Sequence, residues 1–138
     1  MENTNKTDNN NNILASYKKY IQSLYDFMLK NGYTAEPNPK VILDDKKQDG
    51  VFISTGYFDP NSDAIRLFIN GRHIKDVLRT FAHELIHWKQ QQNGAIEKSG
   101  YSGDKITEDE NLIKLEAEAY MKGNIAFRKW TETEQKKK

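Results

Sequence analysis

The chain has 138 residues, 36% apolar and 30% charged, which suits one domain with a single modest core. No run approaches the ~18 consecutive apolar residues of a membrane span, the N-terminus lacks a signal-peptide apolar stretch, and the mean hydropathy is -0.88, so a soluble cytoplasmic protein with no membrane partner is expected. With 21 basic and 20 acidic residues no nucleic-acid partner is expected, and with no cysteine any metal must be held by histidine and carboxylate.

Residues 1–12, MENTNKTDNNNN, are polar and asparagine-rich with nothing to bury, so a disordered tail is expected. Ile13, Tyr17, Ile21, Leu24 and Met28 then recur at helical spacing up to an Asn31-Gly32 stop, which predicts an amphipathic helix over 13–30. Pro37 and Pro39 break that pattern. VILDD starts a short strand, DDKKQDG turns the chain, and VFISTGYF is a second strand rich in β-formers. DPNSD turns it again. In AIRLFIN, Ile65, Leu67 and Ile69 alternate with Arg66, Phe68 and Asn70, the period of a third strand. Residues 72–92 return to helical spacing, with Ile74, Val77, Leu78, Phe81, Leu85 and Trp88 on one side. NGAIEKSGYSGDKI, 93–106, is a glycine-containing connection expected either to flank the functional site or to be a plain connector. A last helix runs from a capping box of Thr107 and Glu110 to Trp130. TETEQKKK, 131–138, reads as a second polar tail, which leaves 13–130 as the single domain.

The chemistry concentrates in RTFAHELIHWKQ, residues 79–90. His83 and His87 stand four residues apart, so on a helix both imidazoles can reach one ion from the same side. Glu84 lies about 60–100° around the helix, where it could hold a water at that ion. An HExxH zinc hydrolase needs this geometry. The competing reading is a helix with a polar face turned to water. His73 lies ~15 Å along the same helix, too far for a shared ion, and is expected at the surface near the helix start. A third ligand must then be a carboxylate from elsewhere.

The last helix offers one. With Glu116 as the zero of a helical wheel, Leu112, Ile113, Ala119, Tyr120, Phe127 and Trp130 fall within about 60° of it. A carboxylate inside an apolar stripe must be protonated, paired or metal-bound. Gly123 on the same line would let a neighbouring helix come close. Glu118 points the other way, between Lys114 and Lys122, as in a solvated ion-pair series. The metal reading is zinc held by His83, His87 and Glu116. The plain reading of Glu116 is a salt bridge to lysine or arginine at the core edge.

HELIH at 83–87 followed by EAEAY at 116–120 resembles the gluzincin group of zinc metallopeptidases. The likeness is strongest to its compact forms: minigluzincins, ImmA/IrrE-type peptidases and phage-encoded relatives. In that group the third ligand often opens a Glu-x-x-Ala-Asp or Glu-x-x-Ala-Asn motif, which falls on Glu116 and Ala119. Tyr120 departs from the usual Asp or Asn, which removes the customary partner of the first histidine from its place and leaves Asp76 or Asn124 to substitute. GYFDPNSDAIRLFIN leading into AHELIH also resembles SprT-like proteins, but those usually use a third histidine after HExxH, which is absent here, and a basic domain that this chain lacks.

The resemblance covers roughly residues 51–127. It implies an α+β, zincin-like fold with an N-terminal helix, a small mostly antiparallel sheet, an active-site helix and a glutamate helix. It implies a peptide or protein substrate added as a strand along the sheet edge, with AIRLFIN as the candidate edge. Zn2+ would keep one position for water, and Glu84 would carry the proton from that water to the leaving amine. Tyr101 and Tyr120 are candidate oxyanion donors. An endopeptidase is expected ahead of an exopeptidase. The rival, from another class, is a non-catalytic regulatory or interaction protein that keeps the zinc for structure; three ligands rather than four favour catalysis.

Overall fold

Tyr17, Ile21, Leu24 and Met28 share one stripe and are all buried, which holds helix α1 (Glu2–Lys30) against the rest of the chain. The computed structural model describes residues 2–48, 54–94 and 110–137, with side chains in α1 from residue 12 onward. Within them follow β1 (Lys40–Asp44), β2 (Gly56–Asp59), β3 (Ala64–Phe68), α2 (Ile74–Gln92) and α3 (Glu110–Lys136), an α+β arrangement. Residues 51–53 of the expected second strand, most of the connection 93–106 including Tyr101, and Thr107 of the capping box lie outside the described residues. No helix among the described residues is long and apolar enough to cross a membrane.

Helix α1 stops where the sequence places its end. Gly32 adopts a φ of 81°, and the N–H groups of Asn31, Gly32 and Tyr33 return to the carbonyls of Phe27, Leu29 and Met28. At its start α1 reaches back to Glu2, through the segment expected as a tail. Once packed turns have nucleated a helix, each added residue brings a backbone hydrogen bond, so polar residues can extend it. Ile13 is 52% exposed, and the buried stripe begins one turn later at Tyr17. Helix α3 likewise continues past Trp130 to Lys136.

The strands form one sheet in the order β1-β3-β2. β2 and β3 make an antiparallel hairpin, with Gly56 opposite Leu67 and Asp59 opposite Ala64. β1 pairs with β3 in parallel, from Lys40 opposite Ala64 to Asp44 opposite Phe68. The sheet is therefore mixed, not mostly antiparallel. β1 and β2 run in opposite directions and β3 inserts between them, so it must be parallel to one and antiparallel to the other. AIRLFIN is thus the central strand and offers no free edge. Among the described residues the outer edges belong to β1 and β2, and β2 is the one that packs beside α2.

Alternation in β3 sends Ile65, Leu67 and Ile69 into the core, where they cluster with Val77, Phe81 and Leu85 of α2. Helix α2 is central. The sheet, α1 and α3 all pack on it, and its buried residues occupy most of its circumference. His73 is exposed, as expected, and caps this helix: its Nδ1 accepts from the Lys75 N–H at 3.1 Å.

Helix α3 meets α2 through Ala119, Gly123, Ala126 and Phe127. A Cβ on Gly123 would stand 3.0 Å from the Cα and N of His83, so this glycine permits the close approach expected of it. On a helical wheel Ala119, Gly123, Ala126 and Trp130 fall to one side of Glu116, and Ile113 and Tyr120 fall to the other. Ile113 and Tyr120, both expected in the buried stripe, are turned aside and are 46% and 59% exposed.

Candidate metal centre

His83 and His87 project from successive turns of α2 with ring centroids 4.9 Å apart. Glu116 reaches them from α3 across the contact that Gly123 closes. Its Oε1 lies 2.7 Å from His83 Nε2 and its Oε2 lies 3.1 Å from His87 Nε2. Ligand atoms of His83, Glu84 and His87 also fall within 4.8 Å of one another. The four residues singled out in the sequence are therefore neighbours in space. The Glu116 side chain is 22% exposed, so it sits at the edge of the buried stripe and not in its middle. Its partners are imidazoles, where the plain expectation was a lysine or arginine.

Environment drives the two glutamates apart. Glu84 is buried, and its Oε2 has no hydrogen-bond partner among the described residues. Burial pushes its pKa up to about 7, against the opposing pull of His87 and His83. Burial works on Glu116 in the same direction, but hydrogen bonds from His83 and His87 outweigh it and bring Glu116 down to about 2. For His87, burial disfavours the charged form. Its bonds to Glu116 and Gln90 and the Glu84 charge more than compensate, so its pKa is raised.

The partner of the buried His87 was not anticipated from the sequence. Gln90 Oε1 lies 2.8 Å from His87 Nδ1, and Gln90 Nε2 donates to the Leu115 carbonyl and to Glu118 Oε1, each at 2.9 Å. The available signal was spacing, since a residue at i+3 from His87 shares its face. Glu118 does pair with Lys122, at 3.3 Å, but its other oxygen takes the Gln90 bond, so it is not simply solvated. The close approach of the helices at Gly123 brings it within reach of α2.

Of the two substitutes considered for the first histidine's partner, Asp76 pairs instead with Arg79 at 3.0 Å. Asn124 lines the same cleft as His83, and the Tyr120 ring meets His83 edge-on with centroids 4.3 Å apart. The cleft measures about 300 Å³. His83, Glu84 and Glu116 line it, with Thr55 and Gly56 from the start of β2 on one side and Tyr120 and Asn124 of α3 on another.

Arg72, also unforeseen, fixes the β2 wall. Its Nη1 donates to the Thr55 and Phe68 carbonyls at 2.8 and 2.9 Å, and its Nη2 to the Asp76 carbonyl and Thr80 Oγ1 at 3.0 and 2.9 Å. Gly56 makes the tight fit possible, since a Cβ there would come within 2.7 Å of the Arg66 carbonyl oxygen.

Zinc accepts imidazole nitrogen and carboxylate oxygen, commonly from three protein ligands plus water in reactive sites. Two Nε2 atoms and a carboxylate that converge beside an orphaned Glu84 oxygen fit that requirement. No protein-family model, curated protein or solved structure matches this chain.

Proposed function

We propose that the protein is a zinc-dependent metallopeptidase of the compact gluzincin type, with a zincin-like fold, in which His83, His87 and Glu116 hold Zn2+ and Glu84 is the general base. One observation carries this reading: both histidine Nε2 atoms converge on a single carboxylate from another helix, next to a buried glutamate with an unsatisfied oxygen. Zinc in such a donor set polarises a carbonyl and makes water nucleophilic near neutral pH.

The chain's own groups supply the rest. Glu84, buried beside both histidines with one oxygen unsatisfied, accepts the water's proton and returns it to the leaving amine nitrogen. Glu116 remains ionised and contributes negative charge to the ligand set. A substrate strand lies along β2, the edge strand that reaches the cleft, with its main chain paired to the outer edge. Tyr120 and Asn124 offer side-chain donors on the α3 wall for the substrate carbonyl.

The test is Glu84→Gln, assayed for metal content, melting temperature and cleavage of a peptide library with chelator controls. Wild type should carry about one zinc per chain. The variant should keep that zinc and its melting temperature while cleavage falls by ~10²–10⁴-fold. Loss of zinc would make Glu84 a ligand, and undiminished cleavage would assign the base elsewhere. A wild type that holds zinc but cleaves nothing would transfer the case to the non-catalytic zinc-binding protein.

A further inference from the structure

We propose that Gln90, clamped by Glu118 and the Leu115 carbonyl, is a positioning residue that fixes the tautomer of His87 and so prepares its Nε2 for a cation. The affinity part of this inference rests on the metal reading above; the tautomer part does not.

The direction of each hydrogen bond follows from its chemistry. A carboxylate and a main-chain carbonyl can only accept. Both lie 2.9 Å from Gln90 Nε2, so that nitrogen directs its two hydrogens at Glu118 and Leu115. The amide cannot be flipped without setting its oxygen against two other acceptors. Gln90 Oε1 is therefore the atom 2.8 Å from His87 Nδ1, and since it too only accepts, Nδ1 must carry a proton. In the neutral ring the lone pair then resides on Nε2, which faces Glu116 Oε2 at 3.1 Å. A lone pair set against a carboxylate oxygen is repulsive unless a proton or a metal ion stands between them.

One buried amide thus acts on two proposed ligands. It orients the His87 ring through Nδ1, and through the Leu115 carbonyl it holds the turn of α3 immediately before Glu116. Gln90 is 3% exposed and His87 is 1% exposed, so water cannot easily replace either partner. Glu118 completes the arrangement by taking the second amide hydrogen, with Lys122 on its other oxygen. Partners of this kind around a metal-ligating histidine are worth about 10–100-fold in metal affinity.

Two measurements test the inference. Nitrogen-15 NMR of the histidine rings in the metal-free protein should show a slowly exchanging proton on His87 Nδ1, lost in Gln90→Leu. Competition with a chromophoric chelator should show Gln90→Leu binding zinc about 10–100-fold more weakly than wild type. Gln90→Glu should also be impaired, because it sets two carboxylates face to face. The exchange Gln90→Glu with Glu118→Gln restores the donor between them, though not the bond to the Leu115 carbonyl, and should recover part of the lost affinity. Chemical denaturation of each metal-free variant separates this effect from a failure to fold. A neutral His87 protonated only at Nε2 in the wild type overturns the inference, as does a folded Gln90→Leu that binds zinc like wild type. If wild type takes up no zinc while Nδ1 carries its proton, the metal reading fails and the tautomer assignment stands.

Discussion

Glu84 and Glu116 are chemically identical side chains in one cleft, yet the fold holds them at opposite ends of the carboxyl range. Burial raises Glu84 from the ordinary carboxyl value of 4.5 to about 7, so its protonated form is the one the fold favours. Its contribution is fully present below pH ~4.5 and declines as pH rises toward 7, on the order of 3 kcal/mol in all. Glu116, lowered to about 2, has the opposite sign: its stabilisation is present above pH ~4.5 and is lost as pH falls toward 2. His87, whose pKa is raised, adds a loss only above its unfolded value of ~6.5. Denaturation of the metal-free protein across pH 2–8 should therefore show maximal stability near pH ~4.5. Glu84→Gln should flatten the profile between pH ~4.5 and ~6.5 and keep the acid-side loss; a wild-type profile already flat there would contradict a buried, shifted Glu84. At the neighbouring position, Glu118→Ala leaves a buried Gln90 donor without its acceptor and should cost about 1–3 kcal/mol in urea denaturation. Lys122→Ala removes only an exposed helical pair and should cost a few tenths. Equal costs for the two would place Glu118 back in solvent.

Between elements, the spacing of α2 and α3 decides whether Glu116 can touch both histidines. Gly123 controls that spacing, because its missing Cβ would stand 3.0 Å from the His83 backbone. Gly123→Val should destabilise the protein by about 1–3 kcal/mol through overpacking, even though valine avoids the conformational penalty of glycine in a helix. The same change should weaken zinc binding by moving the Glu116 helix away from its partners. A variant with unchanged denaturation midpoint and unchanged zinc affinity would show that the helices can separate there without cost to the site. On the sheet side, Arg72 ties Thr55 to Thr80 and so sets the opposite wall of the cleft. That tie explains why the strand beside the site is β2, although β3 leads directly into the helix bearing the histidines.

For the whole molecule, the proposed ligands join two helices, α2 and α3, that are far apart in the chain. A metal that binds only the folded arrangement adds RT ln(1 + [L]/Kd), about 4 kcal/mol at a free concentration one thousand times Kd. Chelation should lower the melting temperature and added zinc should restore it, as followed by calorimetry. Glu116→Ala should remove this zinc dependence. A melting temperature indifferent to zinc in the wild type would show that no metal links the helices.

Periodicity, a property of neighbouring residues, made much of this protein readable from its sequence. A repeat of 3.6 residues puts His83 beside His87, turns Glu116 and Gly123 toward α2, and leaves His73 at the helix start; a repeat of two turns Ile65, Leu67 and Ile69 inward. No such period carries the order of strands, and the insertion of β3 between β1 and β2 appeared only in the folded sheet. Nor does one carry the meeting of Gln90 with Glu118, 28 residues away, or of Arg72 with Thr55, 17 residues away. Those contacts depend on how closely one element approaches another. That distance is set by where small residues such as Gly56 and Gly123 face a neighbouring backbone, and only the packed chain brings the two faces together.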